Sequence, residues 1–359
     1  MSSVFDPSRS LEQRRQAVAN LFDFLVRGGV ADTTRTPSEV IDDRPKRTLR
    51  RYEATGNTTP PTPPVLLVPP LGSQAACMDL RRGCSLAEHL VAGGRPTYLV
   101  DYDDVSFSRD RGTGIEFWIN EVLPEAIAKV SEDTGGQDVA LVGWCMGGLF
   151  SLVTAAAHPD LPIGAVAMIA SPFDMTKNPM TAPLRAIGKV TGGNILGTAF
   201  KIAGGVPRQI VGPAFKATSL AVYIKKPLTL WKRRDDREFL AQVEAVDAIM
   251  NSMLAYPGKA TIQAYQRLLI DNELASGTVR GPNRTVELAD VRVPVMNVAG
   301  STDVLVPVAV AHHVGELLPN APDVRLETAP GGHLGVLTGA RAAETTWPLI
   351  DAFLGAHAA

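Results

Sequence analysis

Three residues far apart in the chain have the types and settings that chemistry needs, and the first is a cysteine. Gly143-Trp144-Cys145-Met146-Gly147 stands between an apolar, β-rich run, Val139–Val142, and Leu149–Ala157, a good helix former. The pattern G-x-C-x-G between a strand and a helix describes a sharp elbow that lifts a nucleophile above the edge of a sheet. The glycines belong to that geometry. A residue at the tip of so tight a turn takes strained backbone angles, and side chains two positions to either side would collide. Gly143 and Gly147 remove those side chains, and Gly148 lets the helix begin close to the strand. The thiol then meets a helix N-terminus, whose dipole favours the thiolate.

The other two residues are an acid and a base. Val293–Val298 reads as a strand and is followed by Ala299-Gly300-Ser301-Thr302-Asp303; Val324–Thr328 reads as another and is followed by Ala329-Pro330-Gly331-Gly332-His333. Nucleophile, acid and histidine thus come in the order Cys145, Asp303, His333, each just past a predicted strand, where ligands bind in open α/β sheets. A free thiol with a pKa of about 8.5 is mostly protonated at neutral pH, so an imidazole must take its proton. A carboxylate on the far imidazole nitrogen fixes the tautomer and steadies the imidazolium. Acyl transfer also needs two backbone N–H donors for the oxyanion. The Met146 amide, directly after the nucleophile, is expected to be one, and the Leu71 amide the other, because Pro70 has no N–H.

Each member also has a plainer reading. Cys145 taken alone is an ordinary buried thiol, and Asp303 taken alone caps a helix beginning at Val306. The uncharged run Val139–Ala157 passes a hydropathy window, but glycines at its centre and its strand-like start argue against a membrane helix. His312 and His313 fall within a predicted helix, His89 and His158 in or after helices, and His357 in the tail. None of these has the loop position of a base.

The elements that must position the three residues follow an α/β rhythm. Leu11–Val26 reads as an amphipathic helix expected to pack on the main domain, and Lys46–Ala54 as an early edge strand. Thr55–Pro64 is a proline-rich loop. Val65–Val68, Thr97–Asp101, the elbow strand Val139–Val142 and Ala165–Ala170 are short apolar strands, with helices predicted over Ser85–Ala92, Ile115–Ser131 and Leu149–Ala157 between them. Strands this apolar imply a parallel sheet covered on both faces. The rhythm breaks between about Met175 and Val286, where helical patterns such as Glu238–Leu254 and Ile262–Ile270 occur without a clear buried strand. It resumes with helices expected over Val306–Leu318 and Arg341–Leu354. The expected organisation is an N-terminal helical extension (1–45), a core of 46–174 with 287–359, and a helical cap insertion (175–286) over the sheet's edge. Such lids shape a pocket and exclude water. The cap's basic cluster, Lys225, Lys226, Lys232, Arg233 and Arg234, is followed at once by Asp235, Asp236 and Glu238, the pattern of a solvated helix face; an anionic carrier such as a coenzyme A phosphate is the alternative.

Composition narrows the function classes. Of 359 residues, 45% are apolar and 20% charged, as in a globular protein with a sizeable core. Formal net charge is −2, from 35 basic and 37 acidic residues, so nothing suggests nucleic acid. Cys77, Cys84 and Cys145 cannot all pair and lack the spacing of a zinc site, which fits a reducing compartment. Met1–Gln16 has no apolar stretch after a basic start, so no signal peptide is expected. A cytoplasmic protein without a transmembrane span is the expectation, with peripheral association to lipid or polymer granules left open.

Several stretches resemble the polyhydroxyalkanoate (PHA) synthase family, in particular its short catalytic subunits. They are VLLVPPLGSQAACMDLRRGCSLAEHLVAGGRPTYLVDY, VALVGWCMGGLFSLVTAAAHP, DNELASGTVRGPNRTVELADVRVPVMNVAGSTDVLVP and GGHLG. The resemblance implies an α/β-hydrolase fold, mostly parallel, with an inserted cap. It also implies that Cys145 carries acyl groups from hydroxyacyl-CoA while Asp303 and His333 activate it. No cofactor or metal is implied, CoA being a co-product, and a second synthase subunit or a homodimer is an expected partner. The chain departs from the family at Val304, where a histidine commonly follows the acid, and at Gly335–Gly339, where Asn-Pro is usual. Transfer from a hydroxyacyl-CoA to a hydroxyl is the leading expectation. Hydrolysis of apolar esters or thioesters by the same triad, and a non-catalytic partner subunit, are the alternatives.

Overall fold

The structure, a computed structural model, describes residues 10–53, 62–103, 110–193, 197–198, 200, 202, 204–218, 220–281 and 284–357. Residues 55–61 of the predicted proline-rich loop and the first nine residues lie outside them. Eight strands form one sheet in the order β1-β2-β4-β3-β5-β6-β11-β12. These are β1 Ser38–Arg44, β2 Arg47–Tyr52, β3 Val65–Val68, β4 Thr97–Asp101, β5 Val139–Trp144, β6 Ile163–Ile169, β11 Val295–Gly300 and β12 Val324–Ala329. From β4 to β12 all pairings are parallel, whereas β1–β2 and β2–β4 are antiparallel. β1 lies within the segment expected to be helical. Its polar sequence SEVIDDR fits an edge, where charged side chains face water, but gives no apolar alternation to read.

The period of two sorts the central strands onto two cores. Leu66 and Val68 of β3 point to the face covered by Trp118, Leu123 and Phe150; Val65 and Leu67 point to the face covered by Leu86, Leu90 and Phe353. The covering helices are α2 (Leu86–Ala92), α3 (Leu123–Asp133), α4 (Met146–Ala157) and, at the chain's end, α10 (Thr346–Ala356). Ile115–Phe117 and a wide turn at Trp118–Val122 run continuously into α3, as the Ile115–Ser131 pattern predicts. The helix predicted over Val306–Leu318 is shorter, with α-helix only at Val308–Ala311 and tighter turns at His312–Glu316.

Between β6 and β11 lie α5 (Ala182–Val190), α6 (Arg208–Thr218), α7 (Leu220–Lys232), α8 (Arg237–Asn251) and α9 (Gly258–Gln263). This insertion also holds strands too short for a sequence pattern to register. β7 (Gly205–Val206) pairs with β8 (Tyr256–Pro257), and β9 (Thr278–Arg280) with β10 (Thr285–Glu287).

The N-terminal helix α1 (Leu11–Val26) is capped by Ser10, whose side chain accepts from the Gln13 amide. It docks on the insertion, and through polar residues. Asn20 Nδ2 donates to the Arg234 carbonyl at 3.0 Å, and Arg237 donates to Asp23 at 2.6 Å. Leu11, Val18, Leu21, Phe22, Leu25 and Val26 are exposed. The expected packing of an apolar stripe on the main domain is thus corrected. Residues 21, 22, 24, 25 and 26 are all apolar and circle the helix, so periodicity names no face and specific hydrogen bonds choose it.

Candidate active site

The elbow is built from close approaches that only glycine permits. Cys145 sits between β5 and α4 at φ 54° and ψ −116°, a strained conformation for a side-chain-bearing residue. A Cβ on Gly143 would lie 2.5 Å from the Gly148 backbone, and one on Gly147 would lie 2.2 Å from the Val68 carbonyl oxygen. A Cβ on Gly148 would meet Ser171 Oγ at 2.2 Å. The turn is also tied down. The Cys145 amide donates to the Ile169 carbonyl at 2.8 Å, and Ser171 Oγ donates to the Cys145 carbonyl at 2.8 Å. Two tertiary hydrogen bonds thereby hold one strained residue.

Sheet register brings the acid and the base together. β11 and β12 run parallel with Gly300 opposite Ala329, so the loops after them leave side by side. The Thr302 amide donates to the Gly331 carbonyl at 3.0 Å and stitches those loops. Asp303, its side chain fully buried, places Oδ2 2.8 Å from His333 Nδ1. Its Oδ1 accepts from the amides of Leu305 at 2.8 Å and Val306 at 2.9 Å. The helix-cap reading of Asp303 is corrected, since the helix starts only at Val308 with Pro307 before it; Oδ1 instead ties down the turn at Leu305 and Val306, which fixes the carboxylate whose other oxygen faces the imidazole.

With Nδ1 committed to Asp303, the far side of the ring is left for Cys145. Burial of His333 by itself disfavours its cation. Interaction with the charge of Cys145, with hydrogen bonds that the ring donates to Asp303 and to the Cys145 sulfur, outweighs that and pushes the His333 pKa up to about 10. The Trp144 ring lies 6.1 Å from His333, tilted by 31°, and its buried Nε1 has no partner among the described residues. Trp144 has no chemical group that a sequence search for acids and bases would select, although it sits inside the elbow motif.

The loop after β3 runs against the elbow, since Val68 pairs with Gly143. Among the described residues neither the Leu71 nor the Met146 amide donates to a protein acceptor. Over this loop lies Tyr256 from β8: a Cβ on Gly72 would fall 2.2 Å from its ring, and the Leu254 amide donates to the Gly72 carbonyl at 2.8 Å. The insertion therefore touches the loop expected to supply an oxyanion donor. Nothing in a two-residue strand signals this from sequence.

A cavity of about 380 Å³ opens against His333, walled mostly by apolar side chains such as Phe215, Val246, Met250, Leu305 and Leu334. A larger one, about 460 Å³, lies between α4 and the β9–β10 ribbon and is reached by none of the triad residues. The other histidines have structural partners: His89 with Asp351, His158 with Asn120, His357 with Asp323, and His312 and His313 with backbone carbonyls. Cys77 and Cys84 are buried free thiols. Among the described residues no cluster of His, Cys, Asp and Glu is arranged to hold a metal ion, and no helix is long and apolar enough to cross a membrane.

Residues 63–340 match the α/β-hydrolase fold family, so the chain belongs to it. Solved structures agree on the fold. A monoglyceride lipase from Saccharomyces cerevisiae superposes with TM-score 0.56 over 91% of this chain and 97% of its own at 16% identity. The mouse α/β hydrolase domain-containing protein 10 does so with TM-score 0.51 over 89% and 99% at 15% identity. The chain is also similar, nearly end to end, to poly(3-hydroxyalkanoate) polymerase subunits PhaC. That of Allochromatium vinosum is 25% identical over 98% of this chain and 95% of the relative. That of Synechocystis sp. is 26% identical over 89% and 84%.

Proposed function

We propose that this chain is an acyltransferase of the PHA polymerase type, moving 3-hydroxyacyl groups from CoA thioesters to a hydroxyl through a thioester on Cys145. The observation that carries the reading is a cysteine, in place of the commoner serine, on the elbow of a chain that matches polymerase subunits along almost their whole length. In the first half-reaction the Cys145 sulfur attacks the thioester carbonyl and a C–S bond forms. The amides of Met146 and Leu71 receive the developing oxyanion. The C–S bond to CoA then breaks, and His333 gives its proton to the departing thiolate. In the second, His333 takes the proton of an acceptor hydroxyl, whose oxygen attacks the enzyme thioester. An ester forms and Cys145 leaves as thiolate. Asp303 holds the ring in register through both halves. When the acceptor is the hydroxyl end of an earlier product, repetition yields a polymer. No metal or cofactor enters any step.

The choice of sulfur supports transfer over hydrolysis, because a thioester is slow to react with water yet yields to a well-placed alcohol. The apolar cavity at His333 supports an aliphatic acyl chain. A cytoplasmic location, association with polymer granules, and a second synthase subunit or a homodimer belong to the same reading. The test is intact-protein mass after incubation with 3-hydroxybutyryl-CoA and with a longer 3-hydroxyacyl-CoA, comparing wild type with Cys145→Ala. Adducts that grow by whole hydroxyacyl units on Cys145 are expected. Free acid and CoA without growth would make the chain a thioesterase; no adduct and no CoA with any chain length would leave a non-catalytic subunit.

A further inference from the structure

Tyr256 is placed by its backbone and its ring. In β8 it stands opposite Val206 of β7, and a Cβ on Gly205 would fall 2.2 Å from its carbonyl oxygen, so the two short strands lie close together. That carbonyl accepts from Thr261 Oγ1 at 3.3 Å. Two residues earlier, the bond from the Leu254 amide to the Gly72 carbonyl fastens this stretch to the loop after β3. The side chain packs against the cluster of Val211, Met250 and Met253. Leu334, the residue after His333, packs on that cluster and also on the sheet core that Cys145 joins.

The ring also meets Gly72, and it does so with its hydroxyl end. A Cβ on Gly72 would lie 2.2 Å from Cε2, 2.4 Å from Cζ and 2.7 Å from the hydroxyl oxygen. Gly72 directly follows Leu71. The start of the same loop is pressed by the elbow, since a Cβ on Gly147 would meet the carbonyl oxygens of Val68 and Pro69 at 2.2 and 2.6 Å. The phenol is near enough to Cys145 for the charge there to act on it.

Packing of this kind needs only the ring, and phenylalanine would supply it. The hydroxyl forms no hydrogen bond to any described residue, whereas partly buried tyrosines usually find a partner. Tyr98 donates to Asp133 at 2.7 Å and Tyr102 to the Pro69 carbonyl at 3.1 Å. The Tyr265 hydroxyl is partnerless but sealed; Tyr256 is partly exposed and its hydroxyl is not sealed. Burial pushes the Tyr256 phenol above its ordinary pKa, and the charge of Cys145 pushes it further. The group therefore stays protonated at neutral pH, a donor whose acceptor has to arrive with the substrate.

We propose that the Tyr256 hydroxyl donates to the carbonyl oxygen of the acyl group on Cys145, a third oxyanion donor beside the amides of Met146 and Leu71. This rests on the acyl-transfer reading above. Charge builds on that oxygen only as the sulfur attacks and again as the acceptor attacks, so the bond is strongest in the two transition states. The carbonyl oxygen, rather than the 3-hydroxyl, is the acceptor these positions favour, because the phenol overlies the residue after Leu71 and senses Cys145.

The experiment compares wild type with Tyr256→Phe, using 3-hydroxybutyryl-CoA and butyryl-CoA, and follows the first acylation of Cys145 by adduct mass. The limiting rate is expected to fall at least roughly tenfold with both thioesters, at little-changed half-saturation and melting temperature. An unchanged rate would overturn the proposal. So would a loss confined to 3-hydroxybutyryl-CoA, which would put the phenol on the 3-hydroxyl, or weaker half-saturation at an unchanged limiting rate, which would mark a packing role. Wild type that forms no adduct with either thioester would sink the acyl-transfer reading itself, whereas an active wild type beside an unimpaired Tyr256→Phe sinks only this proposal. Should Tyr256→Phe melt well below wild type, Tyr256→Gln and Tyr256→Leu decide, being alike in volume and in the lost ring. Gln keeps an N–H donor and must acylate at least roughly tenfold faster than Leu; equal rates would overturn the proposal.

Discussion

The sheet and the insertion with its docked N-terminal helix treat apolar residues in opposite ways. In β3, β5 and β11 every residue is buried, and the two faces of the sheet carry separate, continuous cores. Among the described residues, all exposed large apolar side chains except Val40, Val304 and Leu326 lie on α1 or in the insertion, from Leu11 to Trp231. The insertion's own buried cluster, Val211, Met250 and Met253, is small. The sheet is therefore held by burial of area, whereas α1 and the insertion are held largely by discrete polar links such as Arg237 to Asp23 and Lys226 to Asp247. The triad residues all stand on the first kind of structure, and the cavity walls come mostly from the second.

Changes at the triad are expected to have the largest effects. Cys145→Ala should abolish acyl-adduct formation and lower CoA release at least roughly a thousandfold, with little change in melting temperature, measured by mass and a thiol-release assay. Asp303→Asn keeps the shape but disturbs the tautomer of His333, and a loss of roughly 10²–10⁴ in the same assay is expected. A variant that lost its fold together with its activity would show the site to be less separable from the sheet than argued.

Next come substitutions that set the two regions against each other. Leu66→Ala, in the centre of the sheet, should cost about 2–5 kcal/mol in urea unfolding. Ile224→Ser, 70% exposed on α7, should stay within about 0.5 kcal/mol. A larger loss at Ile224 than at Leu66 would break the comparison.

The smallest expected effects are electrostatic and sharpen the site. With its pKa raised to about 10, the His333 ring stays protonated between pH 6 and 9, and its NMR signals should not titrate there. The sign follows from the neighbouring charge. Cys145→Ser removes the largest influence favouring the cation, so the pKa falls and the ring should begin to titrate within that window. Burial pushes the Cys77 thiol up to about 12 and raises Cys84 as well. Iodoacetamide at pH 8 should therefore modify Cys145 well before either, by peptide mapping; equal rates would favour a non-catalytic subunit.

Much of the site was legible because its signals are local. The elbow needs Gly143, Gly147 and Gly148 within a few residues of Cys145, and each prevents an overlap found in the structure. Asp303 and His333 were readable as loop residues directly after strands, and the parallel β11–β12 register converts that into 2.8 Å. The roles of Trp144 and Tyr256 were not legible. An indole ring against His333 and a phenol over Gly72 are matters of distance between segments, and neither residue type announces chemistry. β1 and the two-residue strands escaped because polar edges and single pairings leave no period.

The sequence by itself determined the sheet, the elbow and the order of the triad, since apolar runs, glycines and turn residues act over a few positions. Only the tertiary structure decided where α1 and the insertion settle. In α1 the apolar residues circle the helix without selecting a face, so its seat rests on individual partners such as Asn20 with the Arg234 carbonyl and Asp23 with Arg237, while the Leu254 amide on the Gly72 carbonyl ties the insertion to the loop after β3.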